Sequence, residues 1–525
     1  MSAIISFHTR HDANVTVAID GRITLILECE RLFGRRYFRF SSDPETFRGE
    51  LAAALAAVDR LVGGGVRFDD CILNWVPAGQ KPILKELVGA RRTLETTHHR
   101  AHAAGTYFQS PFDSCLVVST DGGGDDGWFN LYECRNRRVK LIKRLDLNLG
   151  SPYRFLGCFI REIRGDKGFE FERGLSVAGK LMGLAAYGRF DQRLYEAVRR
   201  AMRSFKQPAD LRAFAAEVGL PFEVDCLGER EGRDLAFCIQ KVCEELIEEV
   251  VREHLHLAPE GAVCLTGGCA LNVLSNSNLV RRFPAARFWV PPNPNDCGIS
   301  LGSICDLFPS TEVGECAWAG IPLLDLGSAA GLSARFPHRP ACLTEVAALL
   351  TQGRIIGLVQ GAAEHGPRAL GNRSILASAG FPGMKDILNR RVKGRELYRP
   401  FAPVVVAEEA GRYFDLPETS PYMSFSGEVR EPYRRELAAI THTDHSARVQ
   451  TLEREDNALL YDLLRAFERV SGLPVLLNTS LNIKGRPIVA QLAEAFEILE
   501  TTDLDLLYYD GQLFAKPGQL PEVRA

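Results

Sequence analysis

The first thirty residues alternate apolar and polar positions with a period of two, the signature of half-buried strands. Ala3–Phe7 and Asn14–Ile19 read as strands, and Asp20-Gly21 joins the second to a third, Arg22–Leu27. An Asp-Gly pair between two such runs marks a hairpin, because both residues tolerate the left-handed backbone of a tight turn. The pattern returns at Cys115–Thr120, an apolar strand that runs into the glycine turn Asp121–Gly127 and a return strand, Trp128–Tyr132. A strand, a turn and a return strand thus occur twice.

Helical spacing follows. Asp234–His256 places Leu235, Ile239, Val242, Leu246, Val250 and Val251 on one face with acids between them. A strand, Ala262–Thr266, then empties into Gly267-Gly268 and Asn272 before the next helix, the place where α/β folds receive nucleotides. Gly/Ala/Ser/Pro-rich text between Leu326 and Pro340 marks a domain boundary, giving domains 1–335 and 336–525. The second opens with a helix at Leu343–Thr351 and a strand at Arg354–Val359. It closes with a strand at Leu473–Leu477, a helix at Leu492–Thr501 and a hairpin at Leu506–Phe514. The fold class read from this alternation is α/β.

Composition narrows the function. A chain of 525 residues with 46% hydrophobic and 25% charged residues has the make-up of a multidomain soluble enzyme. A net charge of −3 and the lack of any Lys/Arg run argue against nucleic acid as a partner. No apolar run approaches the ~18 residues of a membrane span, and the N-terminus lacks a signal-peptide pattern, so a cytoplasmic location is expected. The 14 cysteines form no Cys-x-x-Cys pair and sit in apolar strings, as buried reduced thiols do.

The densest chemistry lies at Thr97–Ala103. His98 and His102 are four apart, so on a helix both imidazoles face one way and can grip one metal ion. Asp121, at the end of the predicted strand, adds a carboxylate, and Gly123 and Gly124 expose backbone that phosphate can approach. Asp296, in the turn after Phe288–Val290, is a candidate further ligand, although by itself it reads rather as the N-cap of a helix at Ile299–Leu307. Gly174–Leu181 nearly matches a Walker A loop, but no Ser/Thr follows Lys180 to hold magnesium. It therefore reads as a packed segment with Lys180 as a phosphate contact. In the second domain Arg368, Arg373, Lys393, Arg399 and Arg448 punctuate apolar text beside the Asn478-Thr479-Ser480 turn. Arginine forks and small polar groups in that setting fit a polyanionic small ligand.

Together these blocks resemble the O-carbamoyltransferases of antibiotic biosynthesis and nodulation, the tobramycin carbamoyltransferase type. The resemblance is carried by His11-Asp-Ala13, Glu28–Leu32, His98–His102, Asp121–Asp125, Gly179–Gly188, Gly267–Asn272, Glu364–Ser374, Asn389–Phe401 and Leu476–Ser480. It implies an N-terminal actin-like domain of the threonylcarbamoyl-transferase type and a C-terminal YrdC-like domain. The C-terminal domain would turn carbamoyl phosphate and ATP, with Mg2+, into carbamoyladenylate. The N-terminal domain, holding a divalent metal, would pass the carbamoyl group to a hydroxyl of a small-molecule acceptor; the mix of imidazole and carboxylate ligands fits iron(II) or another borderline ion. His98, His102, Asp121 and Asp296 fall on the family's metal positions; Arg368, Lys393, Arg448 and Ser480 fall on its carbamoyl phosphate and ATP site. His11 falls near the acceptor, and a homodimer is compatible with the family. Cys269, Arg36 and His365 depart from the usual residues at their positions.

Three rival readings stand beside this one. A tRNA threonylcarbamoyl-modifying fusion would need a basic RNA-binding face, against the net charge of −3. A hydrogenase-maturation carbamoyltransferase would carry paired Cys-x-x-Cys zinc motifs. An actin-like nucleotide-binding regulator would have no use for the His98/His102 pair.

Overall fold

The computed structural model describes residues 2–165, 174–219, 227–324, 331 and 335–522. Two compact units emerge. The first comprises Met1–Cys29 and Tyr37–Gly314, the second Glu30–Arg36 and Glu315–Ala525. Most of the Leu326–Pro340 stretch read as the domain boundary lies outside the described residues.

The first unit contains two five-stranded sheets built on one plan. In the first, β1 (Ala3–His8), β2 (Asn14–Ile19) and β3 (Arg22–Glu28) form an antiparallel meander. On the other side of β1, β4 (Asp70–Asn74) and β5 (Arg92–Thr96) run parallel to it. In the second, β6 (Ser114–Thr120), β7 (Phe129–Arg135) and β8 (Arg138–Leu145) repeat the meander. There β9 (Ala262–Thr266) runs parallel to β6, and β10 (Arg287–Trp289) parallel to β9. The strand order is 3-2-1-4-5 both times. The twice-repeated hairpin of the sequence is thus the visible part of a twice-repeated sheet.

Helices His98–Gln109 and Ile299–Leu307 pack backbone to backbone where Gly105 meets Gly302. A Cβ on Gly302 would lie 2.0 Å from the Ala101 carbonyl oxygen, so glycine sets the closeness of this crossing. The predicted 234–256 helix extends from Glu229 to His254 with all six expected apolar positions buried.

The second unit is built on one ten-stranded mixed sheet. Its order is β11 (His338–Pro340), β20 (Gln512–Ala515), β19 (Leu506–Tyr509), β12 (Ile356–Val359), β13 (Arg373–Ser378), β18 (Val475–Ser480), β14 (Ala402–Val406), β17 (Ser446–Leu452), β16 (Phe425–Val429) and β15 (Phe414–Asp415). Both faces are covered, because alternate residues of a strand point opposite ways. Val404, Val406 and Leu476 pack with Leu350 and Phe467 of one helical layer, while Val405, Val475 and Leu477 join Leu388 and Phe496 on the other. The central strand β14 is accordingly apolar and buried along its whole length.

Candidate functional site

In the first unit the helix His98–Gln109 begins directly after β5, and its opening turn is capped from a distance. Thr97 makes no side-chain capping bond; instead Asp125 accepts the His98 N–H at 2.9 Å and Asp126 accepts the His99 N–H at 3.0 Å. Carboxylates at a helix N-terminus satisfy orphan donors and complement the dipole. The glycine turn after β6 thereby fixes the helix that carries the histidine pair. His99 does not face that pair's site: its Nδ1 lies 2.8 Å from the Ser119 hydroxyl and its Nε2 3.1 Å from the Gly127 carbonyl.

His98 and His102 share the expected face and meet Asp121 and Asp296. One potential ligand atom from each of the four lies within 4.8 Å of all the others, and all four residues are buried. His102 Nε2 is 3.6 Å from Asp121 Oδ2 and 3.5 Å from Asp296 Oδ1, and His98 Nε2 is 3.7 Å from Asp296 Oδ1. Tetrahedral ligands bound at about 2.1 Å stand about 3.4 Å apart, so these spacings fit one small cation. Both Nε2 atoms and Asp296 Oδ2 are sealed from solvent without a hydrogen-bond partner, which is costly unless a cation satisfies them.

Each carboxylate is aimed by its surroundings. Asp121 takes the N–H groups of Gly122 and Gly268. Gly267 makes this approach feasible: its φ of +85° is left-handed, and a Cβ there would lie 2.2 Å from the Thr120 carbonyl oxygen. Asp296 opens the turn Asp296–Gly298, and the following helix has Gly298 at its N-cap without a side-chain bond, so Asp296 serves as a cluster member rather than a cap. Asn14 on β2 holds this turn, donating to the Asp296 carbonyl at 2.8 Å and accepting the Ser300 N–H at 2.9 Å.

Electrostatics suit a cation. Burial holds His98 well below the usual imidazole range, outweighing Asp296, so its ring is a neutral ligand. Burial and the Asp296 charge push Asp121 up. Asp296 ends well below the carboxylate range, since His11, His98, His102 and His8 together overcome its burial. His11 Nε2 lies 3.5 Å from Asp296 Oδ2. Burial disfavours its charged form, yet Asp296, Asp12 and Asp121 raise it to about 9.

The remaining residues named for this half take supporting places. A Cβ at Gly123 would lie 4.0 Å from the Trp75 ring, and one at Gly124 would lie 3.0 Å from the rings of His98 and His99. Asn272 caps the helix Val273–Arg282 through the Ser275 N–H, and Lys180 Nζ donates to the Ile163 carbonyl at 3.1 Å. Two neighbours escaped the sequence reading. His8 Nε2 lies 3.3 Å from Asp296 Oδ2, and the half-buried Arg154 feels the charge of Asp121. For His8 the signal was present, since Ser6 and His8 are polar positions on a strand buried along its whole length.

The second unit gathers cations. Lys393 is 4% exposed, and its ammonium donates to the Ser480 and Asn482 carbonyls at 2.7 and 2.8 Å with no carboxylate beside it among the described residues. Burial, then Arg395, Arg399 and Arg36, hold it well below the usual lysine range. The Arg448 guanidinium makes no hydrogen bond or ion pair among the described residues, and its Nε is sealed from solvent. Burial and the charges of Arg368, Arg395 and Arg399 hold Arg448 far below the arginine range. Arg395 falls to about 9 for the same reasons, with Glu396 as the opposing charge. Like charges stay together in this way where an anion completes the site.

Arg373 and Asn478 shape this cluster from behind. Arg373 is fully buried and donates to the carbonyls of Gln360, Gly361 and Asn372. Glu364 accepts the N–H groups of Leu370, Asn372 and Arg373, folding the loop that carries Arg368. Asn478 ties that loop to β17, donating to the Ala369 carbonyl at 3.1 Å and to Gln450 at 2.8 Å. The loop is also held by Arg31, which donates to the carbonyls of Glu364 and Gly366.

Comparison with known proteins identifies both units. Residues 67–305 match the family model of the carbamoyltransferase N-terminus, and residues 347–516 that of the carbamoyltransferase C-terminus. The nodulation protein NolNO of Sinorhizobium fredii is 33% identical over 487 residues, covering 85% of this chain and 68% of that one. Nodulation protein NolO of Bradyrhizobium diazoefficiens is 34% identical over 468 residues, covering 82% and 80%. A 3'-hydroxymethylcephem-O-carbamoyltransferase of Streptomyces clavuligerus is 31% identical over 524 residues, covering 95% and 96%. The chain belongs to the carbamoyltransferase family and is an enzyme of that family.

Proposed function

We propose that this enzyme is an ATP-dependent O-carbamoyltransferase with one chemical step in each half, the actin-like half spanning 1–335 and the YrdC-like half 336–525. The observation that carries the reading is the segregation of charge: a buried His2Asp2 cluster in the first unit and, in the second, the buried Lys393 and Arg448 with no carboxylate against them among the described residues. The repeated 3-2-1-4-5 sheet supports the actin-like assignment.

In the second unit, hydrolysis of carbamoyl phosphate releases phosphate and leaves carbamate. The carbamate oxygen attacks the α-phosphorus of magnesium-bound ATP and expels pyrophosphate, giving carbamoyladenylate. Arg368, Arg399 and Arg448 offset the phosphate charge, and Ser480 holds the Lys393 ammonium beside them. In the first unit an acceptor hydroxyl attacks the carbamoyl carbon, and AMP leaves with the bonding electrons. When bound at His98, His102, Asp121 and Asp296, a divalent ion, iron(II) by ligand type, supplies Lewis-acid polarisation of the carbamoyl oxygen. His11 Nε2, in its neutral form, receives the hydroxyl proton.

The acceptor is a hydroxylated natural product of the antibiotic type, a class supported by the cephem enzyme that aligns over nearly all of both chains. The test measures pyrophosphate release with carbamoyl phosphate and ATP, followed by mass spectrometry of a hydroxylated natural-product pool. Release that requires both substrates supports the reading; release of ADP and phosphate alone overturns it.

A further inference from the structure

One cation beside the metal cluster is oriented but unpaired. Arg10 follows β1 and stacks its guanidinium on Trp75, with Cζ 3.8 Å from the ring centroid. Its Nε donates to the Trp75 carbonyl at 3.1 Å. One face and one edge of the guanidinium plane are therefore fixed, while the two terminal nitrogens make no hydrogen bond or ion pair among the described residues. Trp75 itself has φ +47°, a strained conformation for a bulky aromatic residue. That backbone sets its ring edge-on to His98, at 5.3 Å between centroids, so the indole stands between the arginine and a cluster histidine.

Charge counting shows what the arginine faces. Asp121 and Asp296 together balance a divalent ion, and His98 is neutral. Asp125 attracts Arg10 but spends an oxygen on the His98 N–H. The terminal nitrogens of Arg10 thus keep a fork without an ion pair among the described residues, presented for a bidentate oxyanion. We infer that Arg10, held on Trp75, binds the phosphate of the adenylate at the metal centre of the first unit, an assignment that rests on the carbamoyladenylate reading above.

The test titrates AMP, the nucleotide product of transfer, and adenosine into metal-loaded protein by calorimetry. All proteins carry Arg448→Ala, which disables the anion cluster of the second unit. Arg10→Gln is expected to weaken AMP about tenfold or more while adenosine affinity and metal content stay unchanged. Arg10→Lys, which keeps the charge but loses the planar fork, should fall between and decides the matter if Arg10→Gln does not fold. AMP binding that survives these changes, or an equal loss for AMP and adenosine, overturns the assignment of Arg10 alone. Absence of AMP binding before Arg10 is changed removes the adenylate from the first unit, and the Arg10 assignment with it.

Discussion

Asp296 is approached by the imidazoles of His8, His11, His98 and His102, so removing one ligand leaves buried charge and orphan nitrogens behind. His102→Ala is expected to lose stoichiometric metal, read by elemental analysis, while circular dichroism shows the fold retained. Full occupancy in that variant would remove His102 from the site. In the cation cluster the parent expectation is energetic. Truncating one partner of a desolvated charge contact costs ~2–5 kcal/mol, so Arg448→Ala should raise the KM for ATP or carbamoyl phosphate about 30-fold or more. Unchanged kinetics would place Arg448 elsewhere. Proton linkage gives an independent reading. Lys393 sits below its unfolded value of about 10.4, so between the two values the unfolded chain holds a proton that the folded one lacks, and stability rises with pH there. An incoming polyanion reverses the shift, so ATP binding at pH 8 should take up protons in buffers of differing ionisation enthalpy, and less so in Lys393→Met. Zero uptake in wild type would show that Lys393 is already charged. Much of this was legible: the i, i+4 histidines, Asp121 and the arginine-rich blocks all stand out in the text. Asp296 stayed ambiguous because a carboxylate before a helix also caps, and only the backbone shows that Gly298 holds that position. The carbonyl partners of Arg373 were not legible beside the other arginines, because they are set by loop folding.

At the scale of elements, short apolar runs joined by an Asp-Gly turn located the strands β1 to β3, which are buried on both faces over most of their length, and 3.6-residue spacing located the helix Glu229–His254, which buries one face. The crossing of helices His98–Gln109 and Ile299–Leu307 was not legible, because glycine in a helix signals weakness locally and a close approach only in context. That crossing governs the metal cluster: one helix carries His98 and His102, and Asp296 lies just before the other. Gly302→Ala forces a methyl against the Ala101 carbonyl, and overpacking of this kind costs about 1–3 kcal/mol. The expected outcome is a lower melting temperature with reduced metal affinity, while ATP binding by the second unit is preserved. Unaltered metal affinity would mean that the ligand geometry is independent of the crossing. The segment Glu30–Arg36 shows a second limit of local pattern. It follows the first hairpin directly, yet it belongs to the second unit, where Arg31 reaches carbonyls at positions 364 and 366.

For the whole molecule, the α/β class and the division into two units are written in the order of periodic segments, whereas the exchange of Glu30–Arg36 depends on contacts more than 300 positions away. The proposed chemistries divide with the units, since the four metal-cluster residues precede position 300 and Arg368, Lys393, Arg448 and Ser480 follow position 360. The half-reactions should therefore separate by mutation. Lys393→Ala is expected to lose pyrophosphate release from carbamoyl phosphate and ATP, yet to carbamoylate acceptor when carbamoyladenylate is supplied. His98→Ala should behave in the opposite way, forming the adenylate without passing it on. Lys393 is tied to the β18 end through Ser480 and Asn482, so circular dichroism must first show that the variant is folded. Both variants are compared with wild type at one concentration of supplied intermediate, which cancels slow entry as an explanation. Equal loss of both half-reactions in both folded variants would mean that a single composite site performs the chemistry, and the assignment of one step to each unit would fall.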